Sequence, residues 1–144
     1  MKIDEQVWTY FQNHLGYSDE EMVKFKQDPR NQEVIAKGAE LMNKTIVAEV
    51  VHSHGCNSQH KVGDKFYLDG VGNLISKLCP GRMCLYAVSA LRPPVFAANE
   101  LVYAGLDPNE MRFKRCGCGD VGLQCGGWGK VVMEIKVVDR SDPS

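Results

Sequence analysis

The sequence predicts an α+β domain, a small and mainly antiparallel sheet with helices, carrying an N-terminal helical extension. Three observations predict it. Apolar residues recur at helical spacing through the first 43 residues, the apolar period changes to two at Thr45, and the later segments run as strands, helices and strands again. With 144 residues and 44% hydrophobic content, the chain is long enough for one domain that buries roughly 70% of its unfolded surface. The organisation read from this is a helical extension over 1–43, a cysteine-containing α+β domain over 44–138 and a frayed tail over 139–144.

In the first helix Val7, Trp8, Phe11 and Leu15 recur at helical spacing. Ser18 followed by Glu21 has the form of a capping box and opens a second helix bearing Met22 and Phe25. Asp28-Pro29 breaks it, and a third helix presents Val34, Ile35, Gly38, Leu41 and Met42 on one face. These apolar stripes need a surface to pack on. The rest of the chain, a second copy or a protein partner could supply it.

From Thr45, "TIVAEVV" is β-branched and reads as a strand ending at His52. "KVGDKFYL" reads as a turn feeding a second strand, closed by Asp69-Gly70. A helix is expected from Pro80 to Leu91 with Cys79 at its N-cap. Pro93-Pro94 ends it and starts another, which Gly105 terminates. "MRFKR" and "KVVMEIKVV" are the last strand candidates. In the second of these Val131, Met133, Ile135 and Val137 face one way, with Lys130, Glu134 and Lys136 on the other, so the sheet has one wet face.

The formal net charge of −1 gives no global positive field, so nucleic acid is not an expected partner. Asp4 and Glu5 interrupt the start where a secretory signal would be apolar, and no apolar run approaches the roughly 20 residues that span a bilayer. A soluble, cytoplasmic protein without membrane contact is the expectation. Thiols are kept reduced in that compartment, so the six cysteines point to metal, catalysis or burial ahead of disulfides.

The cysteines contain no C-x-x-C, which removes the zinc-ribbon, thioredoxin-like and ferredoxin-type patterns. They fall instead at three loops: Cys56 with His60, Cys79, and the Gly-rich stretch with Cys116, Cys118 and Cys125. Loops at element ends can converge over one edge of a sheet. The preferred metal-ligand quartet is therefore Cys56, His60, Cys79 and Cys118, with Cys116 and Cys125 in reserve, for zinc or an iron–sulfur cluster. Cys84 shares helical spacing with Ala87, Val88 and Leu91 and reads as core packing ahead of ligation. Cys79, at a helix N-terminus, would have a lowered pKa suited to ligation or nucleophilic attack. His52 and His54 read as a strand end and His14 as a surface residue. The glycines of the late loop permit close backbone approach or tight turns, and Trp128 could cover the site or the core.

"GCNSQHKVGDKFYLDG", then "LCPGRMC", then a late Cys-containing loop and a final apolar strand, resemble an uncharacterised family of small prokaryotic cysteine-containing proteins. The resemblance covers about residues 45–138. It matches Cys56, Lys61, Val62, Gly63, Asp64, Cys79, Pro80 and one of Cys116 or Cys118. The N-terminal helices, Cys84, Cys125 and the lack of a Pro after the late Cys depart from it. It implies a shared fold unit and cysteine trio and names no reaction.

Three functions compete at this level. The leading one is a metal-binding small protein, a subunit or accessory partner of a larger enzyme system. The second is a small enzyme using a Cys79 nucleophile with His60 as base, or a metal-activated water. The third is a metal-free interaction module with buried thiols.

Overall fold

Local sequence chemistry sets the helical start of the chain. A computed structural model describes residues 2–140. The expected frayed tail falls partly outside them, since residues 141–144 are not among those described while Asp139 still belongs to the last strand. Helix α1 spans Glu5–Leu15, capped by the Asp4 side chain and closed by Gly16 in the left-handed region. Helix α2 spans Asp19–Gln27, and its capping box forms as expected, with Ser18 accepting from the Glu21 N–H and Glu21 from the Ser18 N–H. Asp28 both ends α2 and caps α3 (Pro29–Ala36), where Pro29 occupies the first turn. Trp8, Met22 and Ile35, one from each helix, bury one another with Ile3, Phe11, Tyr17 and Phe25 around them. Each of the three helices thus gives a residue to a core of their own, while the last part of the expected third stripe, Leu41 and Met42, falls outside it, Met42 being exposed.

The chain divides into two compact units with the boundary between Ala39 and Glu40, inside α4 (Gly38–Met42) and ahead of the expected break at residue 43. The physical reason lies at Leu41. It is buried, and its carbonyl lies so close to Gly70 that no Cβ fits there, which ties this residue to the sheet unit.

In that unit the period-two pattern produces a four-stranded sheet in the order β2-β1-β4-β3, formed by β1 (Lys44–His54), β2 (Lys65–Asp69), β3 (Arg115–Gly117) and β4 (Lys130–Asp139). Every pairing is antiparallel, with Ala48 opposite Phe66 on one side and Ile135 on the other. The fold is α+β, as the sequence predicts. β4 alternates as expected, its Val131, Met133, Ile135 and Val137 buried. They meet Ile46, Ala48, Val50 and Phe66 from the neighbouring strands and Ala87, Leu91, Val95 and Ala98 from helices α5 (Leu85–Ala90) and α6 (Arg92–Tyr103). Gly105, at φ +75°, ends α6 just beyond its Ala104 cap.

Three boundaries differ from the sequence reading, each for a local reason. β1 runs two residues past His52 to His54, because a register shift between Val50 and His52 absorbs one residue and lets pairing with β4 resume. β3 begins at Arg115, not within "MRF": Phe113 is exposed beneath Arg112, and pairing starts where Arg115 meets Glu134. The helix expected from Pro80 begins only at Leu85. Pro80 and Gly81 lie in an irregular stretch after a 3-10 helix at Ser76–Leu78, which Cys79 ends. Among the described residues no helix is long and apolar enough to cross a membrane.

Candidate functional site

The loops at one end of the sheet enclose a cleft of about 720 Å³. Three segments build it: the turn after β1, the first turn of α5, and the Gly-rich loop between β3 and β4. Each places a cysteine on the wall, respectively Cys56, Cys84 and Cys118.

The turn after β1 folds back through a hydrogen bond from the Gln59 N–H to the Cys56 carbonyl, 3.0 Å. Gly55 at φ +68° and Gln59 at φ +61° bracket it, and Gln59 is the only described residue other than glycine in that region. The turn delivers His60 into the interior. His60 is 4% exposed, its ring meets Phe66 edge-on at 5.2 Å, and its carbonyl accepts the Ser53 hydroxyl. Its Nε2 accepts the Cys84 backbone N–H at 3.1 Å, which leaves the ring proton on Nδ1. His60 therefore anchors the start of α5.

That anchor fixes Cys84 as the N-cap of α5. The thiol makes no capping hydrogen bond. Burial by itself would raise its pKa. The Ala87 N–H, the Ser58 hydroxyl and the Tyr86 N–H outweigh burial and hold the thiol below the usual cysteine value.

The Gly-rich loop is organised by one carboxylate. Asp120 accepts from the N–H groups of Gly122 at 2.9 Å, Trp128 at 3.0 Å and Gly129 at 3.1 Å. These donors, Gly122 first, keep its carboxyl below the usual range. Two glycines permit the arrangement: a Cβ at Gly127 would overlap the Asp120 carboxylate, and one at Gly129 would overlap the Gly55 carbonyl. The close approach that these glycines allow is thus to Asp120 and to the end of β1. Trp128, 75% exposed, lines the cleft beside Tyr86, Val121 and Lys130.

The expected ligand quartet is distributed as follows. Cys56, His60 and Cys118 line the cleft, with the His60 Nε2 already engaged by Cys84. The Cys118 thiol accepts the Val131 N–H at 3.3 Å and lies 3.9 Å from the Asp120 carbonyl, which it faces as donor. Cys79 is not on the cleft. Its Sγ accepts the Tyr67 N–H at 3.3 Å and faces the Tyr67 carbonyl at 3.5 Å, covering the outer edge of β2. Of the reserves, Cys116 pairs opposite Met133 in β3, where burial pushes its thiol up to about 11, and Cys125 is exposed outside the cleft wall. Among the described residues no group of three or more His, Cys, Asp and Glu side chains converges as a metal site requires.

Sequence reading missed Cys84, Ser58 and Asp120 as parts of one site. For Cys84 the helical spacing to Ala87, Val88 and Leu91 was real, but it marked the helix's first turn and not its interior. Gly81, a helix breaker just after Pro80, was the available sign that the helix starts later. No family model, curated protein or solved structure matches the chain.

Proposed function

We propose that this chain acts through a reactive thiol, with Cys84 as a nucleophile that attacks an electrophilic centre held in the cleft, in a reducing compartment such as the cytoplasm. One observation carries the reading: the Cys84 thiol stands on the cleft wall among the Ala87 and Tyr86 N–H groups and the Ser58 hydroxyl, which favour its thiolate. Activation comes from these fixed donors. No imidazole base is needed, because the His60 Nε2 is engaged by the Cys84 N–H, and His60 is a positioning residue. Tyr86, Ala87, Val131 and Trp128 give the cleft walls suited to a substrate with an apolar or aromatic body.

The test is competitive alkylation of the intact protein with limiting iodoacetamide at neutral pH, followed by peptide mapping of all six cysteines. Cys84 is expected to react ahead of the more exposed Cys125, and Cys84→Ser to remove the fast phase. A fast phase that survives Cys84→Ser contradicts the proposal.

A second reading, soft-metal binding, is favoured by three thiols sharing one cleft, those of Cys56, Cys84 and Cys118. It requires them to draw together around zinc or iron, since no such group is convergent among the described residues. Metal analysis and a visible spectrum on protein purified without oxygen or added metal separate the two. The thiol reading predicts no stoichiometric metal. About one zinc or a coloured iron centre per chain, lost in Cys84→Ser, would replace it.

A further inference from the structure

We propose that Cys56 is the resolving partner of Cys84, so that the cleft alternates between a dithiol and a Cys56–Cys84 disulfide. This rests on Cys84 being the reactive thiol, and it adds a two-electron redox function to that site.

Of the two other thiols on the cleft wall, Cys118 is tied to the backbone of its own loop and of β4, through the Val131 N–H and the Asp120 carbonyl. The Cys56 thiol has no hydrogen-bond partner among the described residues, and its turn is anchored beside Cys84 on the same cleft, because His60, which follows the turn, accepts the Cys84 N–H at 3.1 Å. A disulfide requires Cα atoms within about 4.4–6.8 Å, which is the separation the two cysteines take up in the oxidised state. Gly55 and Gln59 both adopt positive φ at the two ends of the turn, and a left-handed residue that is not glycine is the kind of local strain that gathers at functional sites.

The chemistry balances with a hydroperoxide as oxidant. The Cys84 thiolate attacks the terminal peroxide oxygen; the S–O bond forms, the O–O bond breaks, and the departing alkoxide takes a proton from solvent to leave as an alcohol, or as water from hydrogen peroxide. Cys56 loses its proton and attacks the sulfenic sulfur of Cys84. The S–S bond forms, the S–O bond breaks, and hydroxide leaves with that proton as water. Two thiols have lost two electrons and the hydroperoxide has gained them. An external dithiol restores the reduced pair by thiol–disulfide exchange.

The experiment treats the intact, reduced protein with equimolar hydrogen peroxide, with and without dimedone, and maps the peptides without reduction. The expected wild-type product is a Cys56-to-Cys84 linked peptide pair. In Cys56→Ser the expected product is a dimedone adduct on Cys84. Wild-type protein that accumulates the adduct or a sulfinic acid on Cys84 while Cys56 stays free overturns the proposal, as does a link from Cys84 to Cys118. So does a Cys84 that alkylates fast but resists peroxide, and in that case the nucleophile reading survives. If Cys84 neither outruns Cys125 in alkylation nor oxidises, the nucleophile reading fails as well.

Discussion

His60 shows how a residue can serve a thiol without touching it. Its Nε2 holds the N–H of Cys84, while its ring packs on Phe66. Replacing it with phenylalanine keeps an aromatic ring beside Phe66 and deletes the acceptor. A part-buried N–H left unpaired costs about 1–3 kcal/mol, so His60→Phe should lower the unfolding free energy by that amount and shift the denaturation midpoint down accordingly. A structural role would stop there. A positioning role also moves the pH dependence of Cys84 alkylation up toward that of an ordinary cysteine, and an unmoved profile in a folded variant would rule it out. Residue types alone could nominate His60 and the cysteines, but not their partners. What surrounds Cys79 and Cys84 depends on where one short helix begins: an N-terminus at residue 80 would have placed Cys79 beside the helix amides, and the observed one at Leu85 places Cys84 there.

At the scale of elements, the sheet protects its open edges with side chains. Cys79 satisfies Tyr67 on β2, joined there by the Ile75 N–H on the same carbonyl. On β4, beyond the reach of the three-residue β3, the Asn109 amide accepts the Val137 N–H and donates to the Val137 carbonyl, both at 2.8 Å. It stands in for a missing strand, which guards an edge that would otherwise template pairing with another chain. Asn109→Ala should therefore lose two hydrogen bonds, about 2 kcal/mol in all, and speed amide exchange at Val137. An unchanged denaturation midpoint would show the edge to be held by something else. Elements with strong periodicity or terminal chemistry were legible in the sequence: β4 by its alternation, α2 by Ser18 and Glu21, α6 by its prolines and Gly105. β3 and the shift in β1 were not. Three residues carry too little pattern, and a bulge is fixed by the partner strand.

At the scale of the molecule, the sheet unit gathers three separate loops into one cleft, while the N-terminal helices close a core of their own around Trp8, Met22 and Ile35. The sequence pointed to convergence of the cysteine loops over one sheet edge, and for Cys56 and Cys118 the cleft realises it. The third thiol is Cys84, and the distances and donors that distinguish a nucleophile from a ligand set exist only in three dimensions. The central claim is that local donors make this thiol reactive. It is tested most directly by the rate of iodoacetamide alkylation at each cysteine of the intact protein across pH, resolved by peptide mapping. A lowered pKa means that the thiolate persists to lower pH, so the Cys84 profile should have its midpoint below that of the exposed Cys125, with Cys116 last as burial pushes it up to about 11. A Cys84 midpoint at or above that of Cys125 would contradict the account.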